Sequence, residues 1–260
     1  APALRRVMDD FVEGGWPGLS ARAEWGGFDL PLVVQAGCQE LIDRGCPAFG
    51  MLPGLLRSGA RLLESHAPDR VKEEWLPKLA AGEWATTICI SEPDAGSDVG
   101  RIRTKAIQSS DGHWSVTGEK IWISFGDHDL CGRIGHCLLA RTDPQSTGAQ
   151  GLSLFLVPDS YRDQNGHVQR NGVFVRRVEE KLGLHASPTC ALGFEGARAH
   201  LIGEVGRGLQ TLFAMIGSLR LSVALQGLGI ASASLAAAVS YAAERKQGGP
   251  SSAPGVSIDH

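Results

Sequence analysis

The sequence predicts an α+β chain in three blocks: a helical first third, a strand-rich middle and a helical last part. Two observations carry that reading. Up to residue 84 the apolar residues recur at helical spacing, with prolines where helices start. From Ala85 the period shortens to β-branched runs separated by Gly, Asp, Pro and Ser, and after Gly208 the helical period returns. The division expected is 1–84, 85–203 and 204–260.

Within the first block, Pro31 suits the first turn of a helix running to about Gly45. Leu55–Glu64 gives a second helical run. Pro68-Asp69 marks a third start, continuing through Trp75, with Pro77 limiting or kinking it. Glu24-Trp25-Gly26-Gly27-Phe28 reads as a turn. The second block offers runs at 86–90, 104–109, 113–117, 120–124, 137–141, 152–157 and 173–178, with an Asp111-Gly112 turn. Their spacing predicts an antiparallel sheet, sandwich or barrel rather than alternating strands and helices. Residues 159–172 are polar and read as a loop. The third block, 209–246, predicts one long helix or a broken pair, and Gly248–Gly255 reads as a loop.

Composition excludes several function classes. A net charge of −3 and scattered Lys and Arg give no basic run for nucleic acid or an anionic membrane surface. Six cysteines without a Cys-x-x-Cys pair read as reduced, intracellular thiols. The Ala-Pro-Ala start shows no basic-then-apolar leader, so a cytoplasmic protein is expected. Leu221–Ala243 carries no charge and is long enough to span a bilayer. Its Gln226, glycines and repeated serines suit a helix buried on most sides instead, and no membrane span is expected.

Chemistry concentrates between Ser91 and Ser124. After the run ending at Ile90, Pro93 stops the strand and Gly96 permits positive φ. Backbone N–H groups and the hydroxyls of Ser91 and Ser97 would suit a phosphate or the edge of a heteroaromatic ring. A plain turn capped by Asp and Ser explains the same residues. Trp122 lies two residues from Ser124, so on a strand both side chains share a face. That pairing is a wall for a flat redox cofactor, or Trp122 is a core aromatic.

Ser91-Glu92-Pro93-x-Ala95-Gly96-Ser97-Asp98 followed by Gly118-x-Lys120-x-Trp122-Ile123-Ser124 resembles the two flavin-binding signatures of the acyl-CoA dehydrogenases. Lys181-Leu182-Gly183, Gly203-Glu204-x-Gly206-x-Gly208 and Tyr241-Ala242-x-Glu244-Arg245-Lys246-Gln247 fit the same family, so the resemblance covers nearly the whole chain. Gly126–Asp129 and Leu184–Thr189 resemble the subgroup that includes methylthiopropanoyl-CoA dehydrogenases. The fold implied is a helical N-terminal domain, a β domain and the start of a C-terminal helical domain. The cofactor implied is FAD. Ile88, Ile90, Ser91 and Ser97 would run along the flavin and its pyrophosphate, with Ser91 on the pyrimidine side. Trp122 would cover a ring face, Ser124 would approach N5, and Ile123 between them would also contact the cofactor. Ser97 and Arg220 would face the CoA thioester. Arg245 and Gln247 would reach the FAD of a neighbouring subunit, implying a homodimer or homotetramer. The activity implied is α,β-dehydrogenation of an acyl-CoA, with electrons leaving to an electron-transfer flavoprotein.

The family's base is a carboxylate. In most members it lies in a C-terminal segment that this chain does not contain, and the chain reads as incomplete at both ends. A minority place the base where this chain has Leu219, which cannot take a proton. No catalytic residue is therefore assigned, and Glu92 is read as structural. The missing base also leaves open a flavin-binding homologue with an oxygenase role or a non-catalytic partner subunit. His128, Cys131, His136 and Cys137 are zinc-ligand types, but their spacing is not a familiar zinc pattern. His136 and Cys137, being adjacent on a strand, should face opposite ways. No metal site is expected. The glycines at 203–208 lack a preceding βαβ context and read as a turn into a helix.

Overall fold

A computed structural model of the chain describes residues 2–110, 112–163, 165–248 and 255–257. The expected Asp111 turn and most of the expected 248–255 loop lie outside these residues, although Gly112 adopts the left-handed φ of +85° that such a turn needs.

The first block is helical: α1 (Pro2–Glu13), α2 (Leu32–Gly45), α3 (Pro47–His66) and α4 (Asp69–Ala80). Pro31 and Pro68 stand immediately before α2 and α4, where a missing N–H costs nothing. Pro77 lies inside α4 without ending it. The expected turn at 24–28 is a short 3₁₀ segment, Ala23–Trp25, with Gly26 left-handed at its end.

The middle block forms β1 (Trp84–Cys89), β2 (Lys105–Gln108), β3 (Trp114–Ser124), β4 (Arg133–Arg141), β5 (Leu152–Pro158), β6 (Ser160–Arg162), β7 (Val168–Arg170), β8 (Val173–Val178) and β9 (Thr189–Ile202). The two runs at 113–117 and 120–124 are one strand. β9, with 14 residues, was not expected as a strand because glycine and alanine dilute its β-branched signal. β6 and β7 make a small hairpin within the expected 159–172 loop.

Pairing closes the main sheet on itself through β4, β2, β3, β9, β5 and back to β4. It is not purely antiparallel. β1 pairs parallel to β4 from Trp84 to Cys89, and β2 pairs parallel to β4 at Lys105 and Arg141. β5 takes the other edge of β4. So β1 and β2 occupy successive stretches of one edge, and residues 90–104 are an excursion between them.

Two cores result. One fills the barrel, with Leu138, Phe155, Leu192 and Phe194. The other joins the outer face of the sheet to the helices, with Leu52, Leu62, Trp75, Leu139 and Leu154. Gly59 of α3 is needed there: a Cβ would lie 2.0 Å from the Thr86 hydroxyl of β1, which donates to Leu55 O at 2.7 Å. His136 and Cys137 fall on opposite sides of β4. The His136 ring meets Phe194 and Thr87 while Cys137 joins the helix-side core. Among the described residues no group of three or more metal-ligand side chains gathers.

The last block is one helix, α5 (Gly208–Glu244), followed by Lys246–Gln247 (β10) paired with Val256–Ser257 (β11). The expectation that Leu221–Ala243 is buried on most sides is wrong. α5 packs along α2 and α3 through Ser222, Gln226 and Gly229, and its other faces are open, exposing Leu228, Leu235 and Val239. An 18-residue stretch of α5 has mean hydropathy 1.6 and is 6% buried, so by length and composition it is apolar enough to cross a membrane. Of the small residues that argued for burial, Ser222 and Gly229 lie against α3 and α2, while Gly227, Ser234 and Ser240 are exposed.

Candidate functional site

The strand β1 delivers Ile90 and Ser91 to the point where the chain leaves the sheet edge. Ser91 O accepts from Ile121 N at 2.9 Å, which holds the excursion against β3. A tight turn follows: Glu92 N donates to Ala95 O at 2.8 Å and Ala95 N donates back to Glu92 O at 3.1 Å. Among the described residues the N–H groups of Gly96, Ser97 and Asp98 have no protein partner, and space around Gly96 is open. The Asp98 carboxylate then caps the 3₁₀ segment Val99–Arg101 by accepting from Gly100 N.

A buried ion pair locks the two motifs together. Lys120 Nζ is fully buried and lies 2.8 Å from Glu92 Oε1. The ammonium also donates to Ile90 O at 3.0 Å. The Glu92 carboxylate accepts from Arg103 N at 2.7 Å and Thr104 N at 3.0 Å. Burial pulls the Glu92 carboxyl upward, but Lys120 and these hydrogen bonds outweigh it and hold the group below the usual carboxylate range. Burial pushes the Lys120 pKa down, with Glu92 opposing. Glu92 is therefore saturated with donors, as a structural residue should be, and is not poised to take a proton.

Across the pair, β3 is irregular. Its register with β9 shifts between Lys120 and Ile123, and Trp122 has φ +62°. A bulky residue held in that left-handed region costs about 1–3 kcal/mol. The bulge sends Ile123 into the barrel core at 2% exposure and leaves Trp122 57% exposed, with Ser124 half-buried. Simple alternation along the strand did not foresee the bulge that presents the indole. Ile123 can meet a ligand only through its backbone. Ile88 and Ile90 are half-buried on the outer side of the barrel, while Cys89 between them belongs to the barrel core.

The structure thus ties Ile90, Ser91 and Glu92 to β3 at Lys120 and Ile121, next to the exposed indole of Trp122. An exposed indole and a turn with unpaired backbone donors fit a flat ring joined to a phosphate group. Arg220 is exposed on α5. Arg245 and Gln247 lie beyond the end of the same helix, about 37 Å of rise from Arg220. Leu219 is half-buried against the helix-side core. Glu204 precedes the helix and pairs with Arg207 at 3.3 Å.

Sequence models of two acyl-CoA dehydrogenase domains match the chain: the N-terminal domain over residues 2–83 and the middle domain over 87–197. The 3-methylmercaptopropionyl-CoA dehydrogenase of Ruegeria pomeroyi is 40% identical over 247 residues, covering 95% of this chain and 42% of that protein. The chain thus spans less than half the length of that relative. The solved glutaryl-coenzyme A dehydrogenase–glutaryl-CoA complex is 30% identical with a TM-score of 0.78, covering 92% of this chain and 58% of that one. The acyl-CoA dehydrogenase of Bacillus anthracis complexed with FAD is 26% identical with a TM-score of 0.80, covering 94% and 40%. The chain belongs to the acyl-CoA dehydrogenase family and carries its N-terminal helical and middle β domains, with a helix after them.

Proposed function

We propose that the protein of which this chain is part binds FAD at the junction of the 91–98 turn with β3 and dehydrogenates an acyl-CoA thioester between its α and β carbons. The observation that carries the reading is the buried Glu92–Lys120 pair, which holds a turn rich in free N–H donors beside an exposed, left-handed Trp122. On this reading the chain divides at 1–84, 85–203 and 204–260.

When bound, FAD supplies a two-electron acceptor. The chain's residues bind and orient it. Gly96, Ser97 and Asp98 N–H groups would donate to its phosphates, and Ser91 to the pyrimidine edge. Trp122 would cover one ring face and Ile88 and Ile90 would exclude water beside it. Ser124 would place a hydroxyl donor near N5. Donors arranged before reaction stabilise the negative charge that develops on reduction. Ser97 and Arg220 would meet the CoA portion of the substrate. Arg245 and Gln247, beyond the far end of α5, would serve the same site of a neighbouring subunit in a homodimer or homotetramer. That assembly would also cover the open faces of α5. An electron-transfer flavoprotein is the acceptor expected from the family resemblance.

None of residues 1–260 is assigned as the base. Leu219 has no acceptor, Glu92 is spent on Lys120, and α5 is continuous, so Glu244 lies about 37 Å along it from Leu219. The test is absorbance of the purified full-length gene product after addition of FAD, followed by acyl-CoA oxidation with an artificial electron acceptor. Oxidised-flavin bands and turnover support the proposal. A folded protein that takes up no FAD overturns it.

A further inference from the structure

After the 91–98 turn the chain returns to the sheet through residues 100–104, which lie outside any strand because β2 begins at Lys105. Their backbone groups must therefore be satisfied by other means. The donors go to carboxylates. Gly100 N donates to Asp98 Oδ1 at 3.2 Å, and Arg103 N and Thr104 N donate to Glu92. The acceptors go to Arg141, the last residue of β4. Gly100 O accepts from Arg141 Nη2 at 2.8 Å, Ile102 O from Nε at 3.2 Å and Thr104 O from the Arg141 backbone N at 2.7 Å.

The same guanidinium holds a second loop. Ser146 O accepts from Arg141 Nη1 at 2.8 Å, and Gly148 O accepts from Nη1 at 3.3 Å and Nη2 at 3.2 Å. The two loops abut at this point, since a Cβ on Gly100 would lie 3.1 Å from Gly148 Cα. Among the described residues the partners of the guanidinium are carbonyls, none a carboxylate. A guanidinium offers five N–H donors in one rigid plane, and these contacts occupy them. No donor remains for a ligand, so Arg141 acts through the backbone that it holds.

We propose, on the flavin-binding reading above, that Arg141 is a positioning residue for the cofactor's diphosphate. Its planar fork fixes Gly100 and Ile102 against the 146–148 loop. Gly100 N is in turn bonded to the Asp98 carboxylate, and Arg101 N donates to Asp98 O at 3.2 Å. The Val99–Arg101 segment therefore carries the constraint to the free N–H groups of Gly96, Ser97 and Asp98. Glu92 holds the base of the excursion through its donors, and Arg141 holds the far limb through its acceptors. The competing role is general support of the sheet edge, in which case the phosphates would not sense the change.

The experiment compares the full-length protein with Arg141→Met, Arg141→Lys and Gly151→Ala. Lys keeps the charge but has a single nitrogen that cannot span both loops. Gly151→Ala keeps the guanidinium and displaces it, because the new Cβ would lie 2.5 Å from Arg141 Nη1; it decides the matter if Arg141→Met does not fold. FAD affinity should fall about tenfold in the Met and Lys variants. At saturating FAD the phosphorus NMR resonances of the bound diphosphate should move in Gly151→Ala and the Arg141 variants, while the flavin absorbance bands stay in place. Unchanged affinity in Arg141→Met, or parent affinity in Arg141→Lys, would overturn the proposal. Weaker binding with phosphorus resonances at their parent positions would also overturn it, since that pattern means general loosening. Hydrogen exchange without added FAD separates this claim from the flavin reading. Residues 96–104 should exchange faster in Arg141→Met while β9 is unaffected. A parent that shows this contrast but takes up no FAD would sink the flavin reading and leave the clamp standing, whereas a parent that binds FAD without the contrast would sink the clamp alone.

Discussion

At Trp122 the backbone carries a conformation that the side chain resists, and the site's presentation depends on it. Replacing Trp122 by Gly removes the Cβ clash of the left-handed region, so the variant should gain about 1 kcal/mol in folding stability while losing FAD affinity. Chemical denaturation and FAD titration together check this. A variant that lost both would mean that the indole is a packing residue. Trp122→Ala should likewise weaken FAD far more than Trp84→Ala. Trp84 packs edge-on to Trp75 at 4.7 Å, with Arg133 above both rings, away from the proposed ring face. Glu92 and Lys120 make the second residue-scale claim. Removing one partner strands a buried charge, so Lys120→Met should cost about 3–5 kcal/mol. The Glu92 carboxyl is held below its ordinary value. The pair therefore contributes its full stability above about pH 4.3, the unfolded value for Glu, and loses it as pH falls through the lower folded value. Denaturant midpoints measured from pH 5 downward should fall less steeply in Glu92→Gln than in the parent. Both motif residues were visible in the sequence. Their ion pair was not, because 28 residues separate them and only the return of β3 beside the turn unites them.

Among the elements, α5 is the clearest case of one sequence signal with two readings. Small residues along an uncharged stretch predicted burial on most sides, yet only some of them, Ser222 and Gly229 among them, lie in a seam with the neighbouring helices. At Gly229 a Cβ would meet Glu40 O at 2.8 Å and Arg44 N at 2.9 Å, whereas at Gly217 it would meet nothing within 4 Å. The same substitution should therefore have opposite signs. Gly217→Ala should stabilise the protein by up to about 1 kcal/mol through helix propensity, and Gly229→Ala should destabilise it by forcing α2 from α5. Thermal unfolding of the two variants decides the matter; equal shifts would remove the seam. In the sheet, the helix starts at Pro31 and Pro68 and most strand runs were legible because proline and β-branched residues act locally. The parallel pairing of β1 with β4 was not, since it follows from long-range closure of the barrel. The bulge at 120–123 was also hidden, because nothing in Lys-Ile-Trp-Ile breaks alternation.

For the whole molecule, the arrangement is a barrel edge interrupted by a turn and faced by a bulged strand, with helices packed on its outer side. Fold class was readable from two motifs in order, whereas the ion pair and the bulge that join those motifs were not. The absence of an assignable base within residues 1–260 gives a whole-molecule prediction. A polypeptide of these residues that holds FAD should oxidise acyl-CoA at least about 10²-fold more slowly than the full-length protein, since a positioned base contributes about 10²–10⁴-fold. Comparable rates would place a base among these residues. The central claim, that the 91–98 turn and β3 together make a flavin site, is tested most directly by FAD titration of the full-length protein and its Trp122→Ala variant, each first confirmed as folded by circular dichroism. The parent should show an oxidised-flavin spectrum with saturable uptake, and the variant a clear loss of affinity. A folded parent that stays colourless in excess FAD, or a variant that binds FAD as tightly as the parent, would contradict it.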